Sequence, residues 1–398
     1  MMSLRLLVVD DSKMYRQVIK RIVADIPGVH CIGEACDGKV AMEKIIAEKP
    51  DVVTLDMEMP VMSGMDVIKA VTARKLNTKL IIVSACSQSG AQVAIKALKL
   101  GAYDFITKPV RLGGGGAKDD ISQQLKTKLK SLECGLRPPI AESGAESGPE
   151  LGPTRGKACR EGSAQQVNQL AGPVKKSASP EPKAITSATI CKRGLAPKAI
   201  VIGCSTGGPK ALLKVFSALQ GQLDVPVFIV QHMPPVFTRT LAQCIDEVSL
   251  VSVKEAEDGE IPLANYAYIA PGGRQMKLIQ EKSGIKIKIT DDETSNFCKP
   301  SVDYFFSSVA EIYGSRALGV ILSGMGHDGR EGLRKMKCQG VTVLGQDKES
   351  CVVYGMPRAA QEAGLVDQQV GIDQMASAIE RLLKPAKIFI KPLATVKK

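Results

Sequence analysis

Between residues 113 and 197 the chain stops supplying the materials of a hydrophobic core. Aromatic and branched apolar residues become few, and Pro, Gly, Ser, Ala, Glu and Lys take over, with the near repeat AESGAESGPELGP and the segment KKSASPEPK. A stretch of this composition cannot bury enough apolar surface to offset the entropy lost on ordering. The 398 residues are therefore expected to divide into a first domain over 1–112, a disordered linker over 113–197, a second domain over 198–384 and a basic tail over 385–398. Within the linker, the charged stretch up to about Cys134 has helical character.

On both sides of this break, short apolar runs alternate with amphipathic stretches. In the first domain the runs fall near Leu6–Val9, His30–Gly33, Val52–Leu55, Leu80–Val83 and Asp104–Ile106. In the second they are AIVIG, PVFIV, LVSVKEA, YAYIAP, KIKIT, ALGVILSG and VTVLG, with helical segments near residues 209–219, 237–248, 302–313, 329–338 and 375–383. Strands separated by helices specify a parallel sheet wound on both faces. The expected fold class is α/β, with two doubly wound parallel-sheet domains. In such sheets ligands collect at the carboxyl ends of the strands, so residues that close an apolar run are the candidates for chemistry.

Composition excludes several function classes. No run approaches the roughly 18 consecutive apolar residues of a membrane span, and Asp10 and Asp11 follow the first Leu/Val stretch too soon for a signal peptide. A cytoplasmic protein without membrane insertion is expected. Eleven scattered cysteines with no CxxC pair, beside only three histidines, argue against a zinc site or a disulfide framework. Most of those cysteines read as small apolar fillers. The net charge of +12 invites a nucleic-acid reading until it is located. Residues 113–198 carry 14 Lys/Arg against 8 Asp/Glu, and residues 381–398 carry six basic residues and no acid, which leaves the remainder neutral. The positive charge belongs to the linker and the tail, and no base-reading motif accompanies it, so no nucleic-acid partner is expected.

Five residues of the first domain stand at strand ends: Asp10, Asp11, Asp56, Ser84 and Lys108. A carboxylate that accepts a phosphoryl group needs neighbouring acids to hold a divalent cation, a fixed ammonium for the phosphoryl oxygens and a hydroxyl that responds to the new charge. Asp56, the pair Asp10 and Asp11, Lys108 and Ser84 fit those roles. In the second domain, GCSTGGP (203–209) fits a nucleophile elbow with Ser205 exposed between a strand and a helix, although a glycine-rich phosphate loop is its rival. Two further segments decide in favour of the elbow. His232 comes one residue after PVFIV and Asp328 follows ALGVILSG, so a serine, a base and an orienting acid can meet at one sheet edge. The order Ser, His, Asp differs from that of α/β hydrolases and disfavours that fold.

These segments also carry a resemblance. Residues 4–110, with DMEMPVMSG after Asp56, resemble the receiver domain of two-component response regulators, a flavodoxin-type fold. Residues 198–384 are similar to the Rossmann-like catalytic domain of the chemotaxis protein-glutamate methylesterase (CheB) family through GCSTGGP, QHMPPVFT, YIAPGG, KPSVDYFFSSVA and GMGHDGREGL. The resemblance implies that Asp56 is phosphorylated with Mg2+ held by Asp10, Asp11, Asp56 and the backbone of Glu58, and that Ser84, Phe105 and Lys108 form the switch. It implies Ser205 as nucleophile, His232 as general base and acid, and Asp328 as the group orienting the imidazole. Backbone N–H groups near Thr206 and Met325 would make the oxyanion site. No cofactor is implied for the esterase domain. Cys204 and His327 depart from the commonest form of the family, and His327 reads as a loop residue.

The implied activity is hydrolysis of glutamate methyl esters on methyl-accepting chemotaxis receptors, with deamidation of receptor glutamines as the second reaction and a chemotaxis sensor histidine kinase as phosphodonor. A non-enzymatic response regulator and a DNA-binding one are the alternatives. The first meets an intact Ser, His, Asp set, and the second finds no helix-turn-helix in a strand-rich second half. A long tether suits a receiver that inhibits by docking over the entrance to Ser205 and lets go when Asp56 is phosphorylated.

Overall fold

The computed structural model describes residues 3–108, 115–136, 196–294 and 298–384. The first domain alternates strand and helix in chain order: β1 Leu4–Val9, α1 Lys13–Ala24, β2 Val29–Ala35, α2 Gly38–Glu48, β3 Val52–Asp56, α3 Gly64–Ala73, β4 Lys79–Ala85, α4 Gln88–Leu100, β5 Asp104–Lys108 and α5 Gly115–Leu136. The strands pair in parallel in the order β2-β1-β3-β4-β5. Runs such as VVTLD are covered on both faces, which is why they read as continuous rather than alternating apolar sequence. Short polar residues start the helices. Asp37 accepts from the N–H groups of Lys39 and Val40, and Ser63 and Ser87 do the same for α3 and α4. Strand order reverses between β1 and β3, and this places a crevice where Asp10 and Asp56 stand.

Helix α5 corrects the expected boundary at residue 112. Its residues Ile121, Leu125, Leu129 and Leu132 form one buried stripe in a cluster with Leu4, Leu6, Val8, Ile81, Val83 and Ile106. The segment is polar on average, but four apolar residues at helical spacing suffice to cover an exposed sheet face. The remaining linker, and the tail over 385–398, lie outside the described residues.

The second domain contains β6 Ala199–Cys204, α6 Gly208–Ala218, β7 Val227–Gln231, α7 Phe237–Asp246, β8 Ser252–Glu255, β9 Tyr266–Ile269, β10 Gln275–Glu281, β11 Gly284–Thr290, α8 Val302–Tyr313, β12 Ala317–Ile321, α9 Arg330–Cys338, β13 Thr342–Gln346, α10 Met356–Glu362, β14 Gln368–Val370 and α11 Ile372–Leu383. Seven strands make a parallel sheet in the order β14-β13-β12-β6-β7-β9-β8. The order departs in opposite directions from β6 and β12, so the crevice of this sheet opens at their carboxyl ends. KIKIT, expected as a strand of the main sheet, is β11 of a separate antiparallel hairpin with β10. Polar residues interrupt β10, and β14 carries a single buried valine, so neither strand announced itself.

Both α/β domains belong to one compact unit. Helix α4 packs on α7 and α6, and the apolar residues of the two domains form a continuous cluster at that contact. Among the described residues no helix is long and apolar enough to cross a membrane.

Candidate active site

In the first domain the crevice brings together all three acids: Asp10, Asp11 and Asp56 each place a carboxylate oxygen within 4.8 Å of the others. Asp10 and Asp56 are buried, Asp11 is exposed, and Lys108 Nζ stands 2.7 Å from Asp56 Oδ2 and 3.0 Å from Asp10 Oδ2. Burial first, and the charge of Asp56 second, raise the Asp10 carboxyl above its ordinary value. Burial opposes the Lys108 ammonium, but the two aspartates outweigh it and its pKa rises. Asp10 Oδ2 is buried and accepts no well-aligned hydrogen bond. Three carboxylates in one cluster offer the oxygen ligands that a small, hard cation such as Mg2+ takes. Glu58 lies two residues past β3 on the same loop, with its side chain exposed.

Of the three residues expected to form the switch, Lys108 stands in that crevice, whereas Ser84 and Phe105 hold other partners. The Ser84 hydroxyl donates to the Gly90 carbonyl at 2.9 Å, on the start of α4. Phe105 is buried and its ring stacks on Phe237 of α7 in the second domain, with centroids 4.6 Å apart and planes 6° from parallel. Val61, in the loop after Asp56, holds φ at +66° with 82% of its surface exposed. A β-branched residue in the left-handed region marks strain in the loop that follows Asp56.

At the carboxyl edge of the second sheet, Ser205 follows β6, His232 follows β7 and Asp328 lies in the loop after β12. The elbow geometry rests on Gly207. Its φ is +81°, and a Cβ there would meet Val352 Cβ at 2.5 Å and Ser323 Oγ at 2.7 Å. Ser205 is 9% exposed rather than standing free, since loops 323–325 and 351–356 close over the elbow; a Cβ on Gly324 would lie 3.0 Å from Ser205 Cβ. Gln231 Nε2 donates to the Ser205 and His232 carbonyls at 3.0 and 3.1 Å and so ties the two loops together.

His232 Nε2 lies 2.8 Å from Asp328 Oδ2. The carboxylate also accepts from the Ser301 hydroxyl and from the backbone N–H groups of Val302, Asp303 and Gly329, at 2.7–3.2 Å. Two of those N–H groups open α8, so the helix N-terminus itself favours the anion. Burial alone would raise the Asp328 carboxyl. The His232 contact and these N–H groups overcome burial and hold it low, to about 2. Its neighbour Asp303 goes the other way, raised by burial and by the Asp328 charge. His327 is exposed and uses its carbonyl to accept the Arg330 N–H, so the histidine paired with the buried acid is His232.

Thr206 and Met325 flank Ser205. The Thr206 carbonyl accepts from Ser323 Oγ at 2.8 Å and its side chain accepts from Lys128 Nζ of α5 at 3.2 Å, while Lys128 also pairs with Asp104 at 2.6 Å. Among the described residues the backbone N–H groups of Thr206 and Met325 donate no hydrogen bond. A cavity of about 550 Å³ runs between the domains and is lined by Ser205, His232, Gln231, Phe105, Gln124 and Lys128, among others. Cys204 is fully buried, its thiol pushed up by burial, and it packs as a filler. That reading does not extend to every cysteine: among the described residues Cys36, Cys86 and Cys338 are exposed, because each sits on a turn or helix end.

The supports of the site escaped sequence reasoning. Gln231, Ser301, Asp303, Ser323, Lys128 and Gln346, whose side-chain oxygen accepts from the Ser323 N–H, are ordinary polar residues in the sequence. Only the N-cap pattern at Ser301, followed by an acid and an apolar run, carried a local signal.

Residues 200–379 match the family model of the CheB methylesterase, and residues 6–114 match that of the response regulator receiver domain. The protein-glutamate methylesterase/protein-glutamine glutaminase of Desulfotalea psychrophila is 39% identical over 386 residues, covering 96% of this chain and 100% of its own length. That of Bacillus subtilis is 36% identical over 390 residues, covering 97% and 100%. Among solved structures, the catalytic domain of the Thermotoga maritima CheB methylesterase is 39% identical, covers 47% of this chain and 100% of its own, and superposes with a TM-score of 0.46.

Proposed function

This chain belongs to the CheB methylesterase family and is a methylesterase/glutaminase with a receiver domain, and from that premise we propose that Ser205, His232 and Asp328 carry its chemistry on glutamate methyl esters of chemotaxis receptors. The observation that supports this assignment most is the 2.8 Å contact between His232 and the buried Asp328 at the sheet edge where Ser205 follows β6.

With Nε2 facing Asp328, Nδ1 is the nitrogen left for Ser205. It accepts the Oγ proton as Oγ bonds to the ester carbonyl carbon. The carbonyl electron pair moves onto oxygen, which the N–H groups of Thr206 and Met325 hold. Asp328 stays ionised and stabilises the imidazolium. Collapse breaks the carbon–methoxy bond, and the imidazolium proton leaves with methoxide as methanol. Water then attacks the acyl-enzyme, gives its proton to His232, and Ser205 leaves with that proton, so the enzyme ends unchanged. A glutamine amide follows the same path and releases ammonia.

In the receiver, Asp56 is the phosphoryl acceptor, with a chemotaxis histidine kinase as donor. Asp10, Asp11, Asp56 and the Glu58 carbonyl would hold Mg2+, which when bound supplies positive charge against the phosphoryl oxygens. Lys108 adds a fixed ammonium from the protein. Phe105 and Lys128 hold the receiver against the cavity at Ser205, which supports inhibition by docking and release on phosphorylation.

Incubating the full chain with a methyl-labelled receptor should release methanol, more of it with a small phosphodonor present. Ser205→Ala should release none while still taking up phosphate at Asp56. Methanol release by Ser205→Ala at most of the unaltered rate would remove the assignment.

A further inference from the structure

Beside the His232–Asp328 pair lies a third ligand. One ring nitrogen of His232, the Sγ of Cys298 and one carboxylate oxygen of Asp328 all lie within 4.8 Å of one another. They come from three separate loops, after β7, before α8 and after β12, so no spacing in the sequence announces the group. In a tetrahedral zinc centre, bonds of about 2.0–2.3 Å place ligand atoms about 3.4 Å apart. Shifts of about an ångström in the imidazole and the thiol therefore close the set, while Asp328 is anchored by its four other donors. The donors are one nitrogen, one sulfur and one oxygen. That mixture suits zinc and not the hard cations Mg2+ or Ca2+, which take oxygen ligands.

Access and charge favour the same occupant. His232 and Cys298 line the cavity of about 550 Å³, which gives an ion a route in. Burial first, and the charges of Asp328 and Asp303 after it, push the Cys298 thiol up, and the same two carboxylates attract a dication bound at the sulfur.

We propose that His232, Cys298 and Asp328 form an inhibitory zinc site at the mouth of the esterase centre. Cys298 binds as thiolate and its proton passes to solvent; the imidazole binds through a lone pair. An imidazole engaged by zinc has no base left for the Ser205 proton, so hydrolysis stops without any change at Asp56. The site itself stands on the geometry, whereas the inhibition rests on His232 being the base, and the two are tested separately.

Binding is read with cobalt(II) as an optical probe, through thiolate-to-cobalt charge-transfer absorption, on the full chain with Cys36, Cys86 and Cys338 replaced by serine. One equivalent of cobalt should develop the band and zinc should bleach it. Cys298→Ser and His232→Ala should abolish the band, and Ser205→Ala, though inactive, should keep it. A band of full intensity in Cys298→Ser overturns the site. Inhibition is read as methanol release. Zinc should suppress it and a chelator should restore it, and Cys298→Ser should keep its basal rate within about threefold while becoming at least tenfold less sensitive to zinc. Equal zinc sensitivity in Cys298→Ser, or one-to-one binding with undiminished methanol release, overturns the inhibition. Should the unaltered chain release no methanol at all, the esterase reading fails while the cobalt titration still decides the site.

Discussion

Asp328 takes part in five hydrogen bonds, and its acidity gives a prediction in pH. Its folded pKa is depressed below the ordinary 3.8. The stabilisation it supplies is therefore fully present above pH 4 and is lost as pH falls toward about 2. Asp328→Asn should cost on the order of 2 kcal/mol at neutral pH, and the gap to the unaltered protein should close as denaturation is repeated at lower pH. A gap that is constant from pH 7 to pH 3 would mean that the carboxylate is not held as an anion. Methanol release by the same variant should fall by several orders of magnitude, because the imidazole loses its orienting charge. The exposed His327 provides the contrast: His327→Ala should keep activity within about tenfold, ~1.4 kcal/mol of barrier, whereas His232→Ala should not. That Ser205, His232 and Asp328 come to one sheet edge could be read from the sequence because each lies just past an apolar run. Gln231 and Ser301 could not, since their value comes from which loop folds beside which. Cys298 was hidden for the same reason.

Helix α5 is where element-level reading failed, and the failure is physical. Gly113 to Gly116 and the run of Lys, Asp and Gln look like the start of a linker, and the periodic signal of Ile121, Leu125, Leu129 and Leu132 is diluted by that polarity. Burial against the sheet overrides the weak local preference. Leu125 and Leu129 are fully buried, so Leu125→Ala should destabilise the receiver by ~2–4 kcal/mol, measured as a shift in the denaturation midpoint. A change below about 0.5 kcal/mol, the range of an exposed position, would show that α5 is an appendage of the domain. The strand-to-helix elbow was plain in GCSTGGP because its glycine requirement is local. The β10–β11 hairpin was not, since nothing local separates a strand of the sheet from a strand beside it.

At the scale of the whole molecule, the receiver and the esterase share one apolar cluster, and the control reading depends on what holds them together. Phe105 stacks on Phe237 and Lys128 bridges Asp104 to Thr206. An aromatic stack is worth ~0.5–1.5 kcal/mol beyond its buried area, and a partly buried lysine pair adds a contribution of similar size. If the docked state keeps Ser205 closed, loss of ~1.4 kcal/mol raises the open population about tenfold while that population remains small. Phe105→Ala and Lys128→Ala, each in the full chain and without phosphodonor, should therefore raise methanol release, Phe105→Ala by up to about tenfold. Asp56→Asn should stay at the low basal rate and ignore a phosphodonor, and combining it with Phe105→Ala should restore the higher rate, because the contact lies downstream of the phosphoryl group. The opposite result is equally specific. If Phe105→Ala folds with an unchanged midpoint yet releases methanol more slowly than the unaltered chain, the docked receiver assists the esterase, and Lys128 at Thr206 would be organising the oxyanion loop rather than blocking it.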